Sequence, residues 1–264
     1  MRKLLLAAAL CSASFAVAAS PVAEPVEWEV DGKTFSGFLV YDDGDGDPER
    51  PGIVMFPNWM GPTADAVERA KAIAEDDYVI LVADMYGKDL RPANPDEAGK
   101  ASGAVYADNA ALRRRAAAAV EVLRGRAADL PLDPERFAAI GFCFGGAVAL
   151  ELARAGAELD AVVSFHGSLR TSVPAAAGVT RPPMLVLNGA ADTFVSPESI
   201  AEFKQEMTAA GADWQFVDFS GAVHCFAEPS ADGNTIPGCK YDERTANRAY
   251  AMMADFLDEN FGED

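Results

Sequence analysis

Ile140-Gly141-Phe142-Cys143-Phe144-Gly145-Gly146 is the stretch on which the reading of this 264-residue chain turns. The residues before it, Arg136-Phe137-Ala138-Ala139-Ile140, are mostly apolar and read as a buried strand. The residues after it, Ala147-Val148-Ala149-Leu150-Glu151-Leu152-Ala153, are strong helix formers with apolar spacings of three and four. The junction is therefore strand, sharp turn, helix. Gly141 and Gly145 stand two residues on either side of Cys143, the spacing of a nucleophile elbow with Cys where Ser is more usual. Such a turn brings backbones too close for a Cβ, which is why glycine flanks it. It also aims a helix N-terminus at the sulfur, which lowers a thiol pKa from its free value of about 8.5. The same spacing fits a structural cysteine in the Gly-rich turn of a nucleotide-binding fold, so the rest of the chain has to discriminate.

Working outward, residues 26–31 and 34–41 alternate apolar with polar around Gly32-Lys33 and predict an antiparallel hairpin. Short apolar strands are expected at 53–56, 78–85, 161–165, 184–187 and 214–219. Helices are expected at about 63–75, 107–127, 197–210 and 242–260, with the Pro-rich run 91–95 as a loop or lid. Strands alternating with helices mean an α/β fold, a mostly parallel sheet with helices on both faces, here led in by the hairpin. Ligands of such sheets bind beyond the carboxyl ends of the strands. That expectation gathers the loops at Asn58, Gly87, Cys143, His166, Asp192 and His224 around one crevice.

A formal charge of −19 would be repelled by nucleic-acid phosphates and excludes that class of partner. Asp42-Asp43-Gly44-Asp45-Gly46-Asp47 resembles a calcium loop but lacks a glutamate at the twelfth position, so it reads as a solvated hairpin exit and no metal is expected. Arg2-Lys3, the apolar run 4–17 and Ala16-Val17-Ala18 form the three parts of a secretory signal. The expectation is a leader over 1–20, a single domain over 21–264, a periplasmic or secreted location, and no membrane contact after cleavage. A retained anchor is the competing reading, and Leu10 before Cys11 disfavours a lipoprotein. The mature chain then holds Cys143, Cys225 and Cys239, which in an oxidising compartment suggests one pair and one free thiol. Cys225 and Cys239 close a short loop that a disulfide would stiffen; the spacing alone leaves that pairing open.

A nucleophilic Cys needs a base, and the base an orienting acid. His224 follows the final expected strand and Asp192 the strand before it, so Cys143, Asp192 and His224 occur in the order of an α/β-hydrolase triad. His166 follows an earlier strand, the wrong place for the base, and either lines the pocket or bonds a loop carbonyl.

Together Gly141-Phe142-Cys143-Phe144-Gly145-Gly146, Ala83-Asp84-Met85-Tyr86-Gly87, Ser164-Phe165-His166-Gly167 and Val223-His224-Cys225-Phe226 make the chain resemble the dienelactone hydrolase family from about Val26 to the C-terminal helix. The resemblance implies a Cys-His-Asp triad, a thioester acyl-enzyme, no cofactor, and an oxyanion hole made by the backbone N–H groups of Phe144 and Trp59. It also exposes departures. Where family members carry a glutamate that restrains the thiol, this chain has Asn58. Where they grip a substrate carboxylate with arginines, it has Lys88 and Glu228. Asn58, Lys88, His166, Phe226 and Glu228 are therefore the expected substrate-binding positions, and a neutral ester or lactone admitted past Trp59, Met60 and Phe226 the expected substrate. Competing readings are a thioesterase or phosphoester-type hydrolase, and a non-catalytic thiol or redox-sensing protein. A monomer or small homo-oligomer is expected.

Overall fold

The computed structural model describes residues 21–44, 47–75 and 77–262. The proposed leader lies outside them, as do Asp45 and Gly46 of the acidic turn. Among the described residues no helix is long and apolar enough to cross a membrane.

Eight strands form one sheet: β1 (Val22–Val30), β2 (Lys33–Tyr41), β3 (Arg50–Phe56), β4 (Val79–Val82), β5 (Leu132–Phe142), β6 (Ala161–Phe165), β7 (Met184–Gly189) and β8 (Trp214–Phe219). Their order is β1-β2-β4-β3-β5-β6-β7-β8. The hairpin β1–β2 and its junction to β4 are antiparallel, and every other pairing is parallel. Parallel neighbours need crossovers; α1 (Ala64–Ala74), α2 (Pro95–Tyr106), α3 (Asn109–Arg124), α4 (Phe144–Ala155) and α5 (Pro197–Ala210) lie on them, β6 passes to β7 through a loop among the described residues, and α6 (Glu243–Phe261) follows β8.

Because strand side chains alternate, each strand feeds two cores. Ile53 and Met55 face Ala66 and Ala70 of α1 and Met253 of α6. Val54 and Phe56 face the opposite layer, with Leu112 of α3, Val148 of α4 and Phe203 of α5. Both faces are covered, so the central strands are mostly apolar: β3, β4, β6 and β7 are buried at every position, with Arg50, Ser164 and Asn188 their polar members.

One region departs from the sequence expectation. The Pro-rich approach and the helix expected at 107–127 are present, the latter as α3, but between them the chain forms a further helix, α2, that was not expected, and the two helices meet at Asp108. Asn94 caps α2 through Glu97 N, Pro95 opens the first turn, and Glu97 reaches back to Ala93 N. That is a capping box, a start signal already present in the letters. Asp108 then caps α3 by accepting from Ala111 N. The Pro-rich run is short because it is only the approach to a helix.

Candidate active site

β5 ends at Phe142 and α4 begins at Phe144, so Cys143 is the single residue of the turn. Its φ is +53°, a left-handed conformation that a β-substituted residue adopts only at a cost. Flanking glycines make the turn possible. A Cβ on Gly141 would run into the Gly145 carbonyl, and one on Gly145 into the Phe56 carbonyl of β3. The Cys143 N–H is tied to Phe165 O at 3.0 Å, which fixes the turn over β6. As the first residue of α4, Phe144 has no intrahelical acceptor for its N–H.

His224 sits beyond β8, buried to 8 % exposure. Its Nε2 is 3.0 Å from Cys143 Sγ and its Nδ1 is 2.7 Å from Asp192 Oδ2. Asp192 follows β7 and is itself held by Phe194 N on Oδ1 at 2.7 Å. Ala191 N bonds Ala222 O, so the loops bearing the acid and the histidine are fastened to each other. Burial pulls the His224 pKa down, but the adjacent Cys143 and Asp192 outweigh it and push it up to about 10. At neutral pH the ring is therefore a cation that donates from both nitrogens. Cys225 and Cys239 are joined, with Cα atoms 5.0 Å apart. The partner strand of this link also takes His224 O from Lys240 N at 2.9 Å, so the disulfide anchors the histidine loop from behind.

The turn after β3 closes the site. Gly61 N bonds Asn58 O and Met60 N bonds Asn58 Oδ1, which curls the loop around Trp59. Tyr86, beyond β4, donates its OH to Trp59 O at 2.8 Å and stacks its ring on Phe144 at 5.5 Å. Tyr86 is held in turn by Asp84, whose buried carboxylate accepts from Ser36 N, Tyr86 N and Gly87 N. One tyrosine thus touches both residues whose N–H groups were expected to form the oxyanion hole.

A cavity of about 230 Å³ opens over Cys143 and is lined by Asn58, Trp59, Arg69 and Glu228 among others. A larger groove of about 590 Å³ runs between α1 and α6, but none of Cys143, Asp192 and His224 lines it. The site is therefore placed at the smaller cavity. Among the described residues no cluster of His, Cys, Asp and Glu has a metal-binding arrangement.

Three expectations about the pocket are corrected, and a fourth, Glu228, is met in place but not in charge. Lys88 does not reach the cavity; it pairs with Glu27 of β1 at 2.9 Å, because its loop packs along the hairpin. Phe226 is fully buried and packs edge-on against His166 instead of facing substrate. His166 is likewise buried, edge-on to His224 at 5.0 Å, and lies outside the cavity lining. Burial, with His224 and Arg69 nearby, holds its pKa well below the usual value, so its ring is neutral. Glu228 does line the cavity, but not as a free charge. It is 2 % exposed, bonded to Arg69 at 3.0 Å and in close contact with Asn58 Nδ2. Asn58 thus brings a carboxylate to the place where its own side chain has none.

Arg69 and Tyr86 were not among the residues expected at the site. Arg69 had a legible signal: it lies on the buried stripe of α1, between Ala66 and Ala70. Tyr86 had no such signal, since its partners come from β3 and α4.

The model of the dienelactone hydrolase family matches residues 35–261. The chain belongs to the dienelactone hydrolase family. A solved structure named "m3DLH" is 36% identical, with a TM-score of 0.84 over 92% of this chain and 99% of that one. The crystal structure of a dienelactone hydrolase-like promiscuous phosphotriesterase from metagenomic libraries is 35% identical, with a TM-score of 0.82 over 91% and 98%. A protein of Aquifex aeolicus (strain VF5) named "Putative carboxymethylenebutenolidase" is 25% identical over 88% of this chain and 96% of its own length. Family and relatives make this dienelactone hydrolase family member an ester hydrolase acting on a small-molecule ester.

Proposed function

We propose that the chain hydrolyses carboxylic esters or lactones by cysteine-dependent acyl transfer. The observation that carries this reading is the row Asp192–His224–Cys143, with contacts of 2.7 and 3.0 Å at the end of an elbow. The Cys143 thiolate attacks the carbonyl carbon, and the carbonyl electron pair moves onto oxygen. The N–H groups of Phe144 and Trp59 hold that oxyanion. Its collapse expels the alcohol oxygen, which takes the proton from His224 Nε2 and leaves a thioester on Cys143. Water then attacks the thioester and gives a proton to His224. The second collapse releases the acid and restores the thiolate–imidazolium pair. Asp192 holds the ring by its Nδ1–H and stabilises the cation.

Intact-mass measurement after a pulse of p-nitrophenyl acetate tests this. An acetyl adduct on Cys143 and its absence in Cys143→Ala are expected. Turnover that survives Cys143→Ala overturns the assignment of the nucleophile. Neither adduct nor turnover overturns the hydrolytic reading in favour of a thiol protein without catalysis.

A second substrate class is supported by the 35% identical relative described as a promiscuous phosphotriesterase. A neutral phosphotriester presents a tetrahedral electrophile to the same sulfur, and paraoxon hydrolysis lost in Cys143→Ala is the outcome that supports it. For location, the reading remains a cleaved leader and an oxidising compartment. The Cys225–Cys239 link supports it. An N-terminus beginning near Ser20 or Pro21 in protein recovered from a periplasmic or secreted fraction is the expected result, and an intact leader in the cytosol refutes it.

A further inference from the structure

The cavity over Cys143 contains a buried ion pair that takes no part in the acyl transfer. Arg69 rises from α1 with its side chain 6% exposed, lays its guanidinium 4.5 Å over the Phe142 ring, and bonds Glu228 Oε2 through one terminal nitrogen at 3.0 Å. The same Oε2 receives Asn58 Nδ2. Glu228 Oε1 makes no hydrogen bond, and the nearest cation-forming group is His166 Nε2 at 3.8 Å. The His166 ring is neutral, for the reasons of burial given above. The charged residues lining the cavity are Asp65, Arg69 and Glu228. Two carboxylates thus stand against one guanidinium, which gives one terminal nitrogen to Glu228 while its Nε has no partner, so the charge of Glu228 offsets that of Arg69.

We propose that Glu228 makes the pocket selective for neutral esters by occupying the Arg69 guanidinium that an anionic substrate would need. The proposal rests on the ester-hydrolase reading and adds the charge class of its substrate. An arginine in a pocket is ordinarily the group that recruits a carboxylate, through paired charge-assisted hydrogen bonds. Here a substrate carboxylate has two choices. It can displace Glu228, which strands a buried carboxylate without its partner. Or it can leave the pair intact and sit beside Glu228 and Asp65. Both disfavour binding, whereas a neutral ester meets neither. The elements explain why the pair meets: Ala66 and Ala70 of α1 and Phe226 and Ala227 after His224 pack into one core layer, which sets Arg69 beside Glu228.

The test uses the full-length mature protein and two substrates, p-nitrophenyl acetate and the anionic mono-p-nitrophenyl glutarate. The readout is the ratio of their kcat/KM values. Wild type is expected to favour the neutral ester. In Glu228→Gln the guanidinium is released from a charged partner, and the ratio should shift toward the anionic ester by about tenfold, the scale of one charge-assisted hydrogen bond. Arg69→Met combined with Glu228→Gln removes the recruiting cation as well, and should return the ratio to near the wild-type value. A Glu228→Gln ratio within twofold of wild type overturns the proposal, as does a shift that persists in the double variant. If Glu228→Gln does not fold, Glu228→Met, uncharged and of similar length, is read in the same way, and a ratio within twofold of wild type overturns it. Failure of wild type to turn over the neutral ester at all defeats the ester-hydrolase reading instead, so the two failures are distinguishable.

Discussion

Tyr86→Phe is the substitution that most directly tests the proposed oxyanion hole of Phe144 and Trp59. The phenyl ring remains, so the stack on Phe144 at 5.5 Å is kept, while the bond from the OH to Trp59 O at 2.8 Å is cut together with the hydroxyl's contact to Ser102. Burial first, then the neighbouring Cys143 and Asp84, raise the Tyr86 pKa, so the group is a donor throughout the working pH range. As a structural bond its loss should cost about 1 kcal/mol. In a chain of this size that lowers Tm by about 2–4 °C. The kinetic effect should be larger than this scaffold effect. Removing an oxyanion donor outright costs about 2.7–4 kcal/mol of transition-state stabilisation. Loosening the Trp59 loop misplaces one donor without deleting it, and half that figure corresponds to a kcat about 10–30-fold lower. Because the oxyanion exists only after attack, KM for a neutral ester should change by less than about twofold. Stopped-flow hydrolysis of p-nitrophenyl acetate, with acylation separated from steady state, measures both quantities, and a thermal melt reports the stability cost. A variant that melts a few degrees lower yet keeps kcat within twofold refutes the reasoning, because Trp59 would then be scaffold and not part of the hole.

Three further outcomes are expected. Asp192→Asn removes one of the two partners that raise the His224 pKa to about 10, so the ring deprotonates at lower pH and the alkaline limb of kcat moves downward. Its kcat should fall by about 10³–10⁴-fold, and a pH–rate profile with an unmoved alkaline limb would contradict the assignment. The stability that the His224 cation contributes is full below its unfolded value of about 6.5 and is lost as pH rises through the folded value of about 10, so urea titrations across that window should show wild type losing its advantage over Asp192→Asn. Gly145→Ala drives a Cβ into the Phe56 carbonyl, backbone that cannot yield, and should cost more than about 4 kcal/mol, whereas Gly103→Ala on α2 meets nothing and should gain about 0.5–1 kcal/mol; equal melts for the two would show that the elbow can relax. Opening the Cys225–Cys239 link by paired Ser substitutions should cost about 3 kcal/mol for a loop of this length and lower kcat through the freed His224 loop, and undiminished activity at full folding would separate the disulfide from the site.

Much of this molecule was readable from residue order. The run through Gly141, Cys143 and Gly145 specifies a strand–turn–helix whatever surrounds it, because the constraint is local sterics around a single crowded backbone. Alternating apolar strands and helices dictate a sheet covered on both faces, and in such a sheet Asp192 and His224 can only emerge at the same edge as Cys143. The chain order of three residues was therefore enough to bring them together. The second helix before Asp108 was equally present in Asn94-Pro95-Asp96-Glu97, and the proline masked it.

What the letters did not contain is which charges meet. Lys88 stood one residue past a loop that does reach the site, yet the hairpin offered it Glu27, and a long flexible cation goes to the nearest carboxylate. Glu228 reads in isolation as a repulsive charge; only the packing of α1 beside the turn after His224 puts Arg69 within 3.0 Å of it. Tyr86 joins Trp59 to Phe144 across three elements separated by long stretches of chain. Backbone conformation and the order of elements depend on neighbours in sequence, and so the elbow and the meeting of Cys143, His224 and Asp192 were determined by the sequence itself. Ion pairing and hydrogen bonding depend on neighbours in space, and so the pocket's charge and the support of its oxyanion loop were decided only by the tertiary structure.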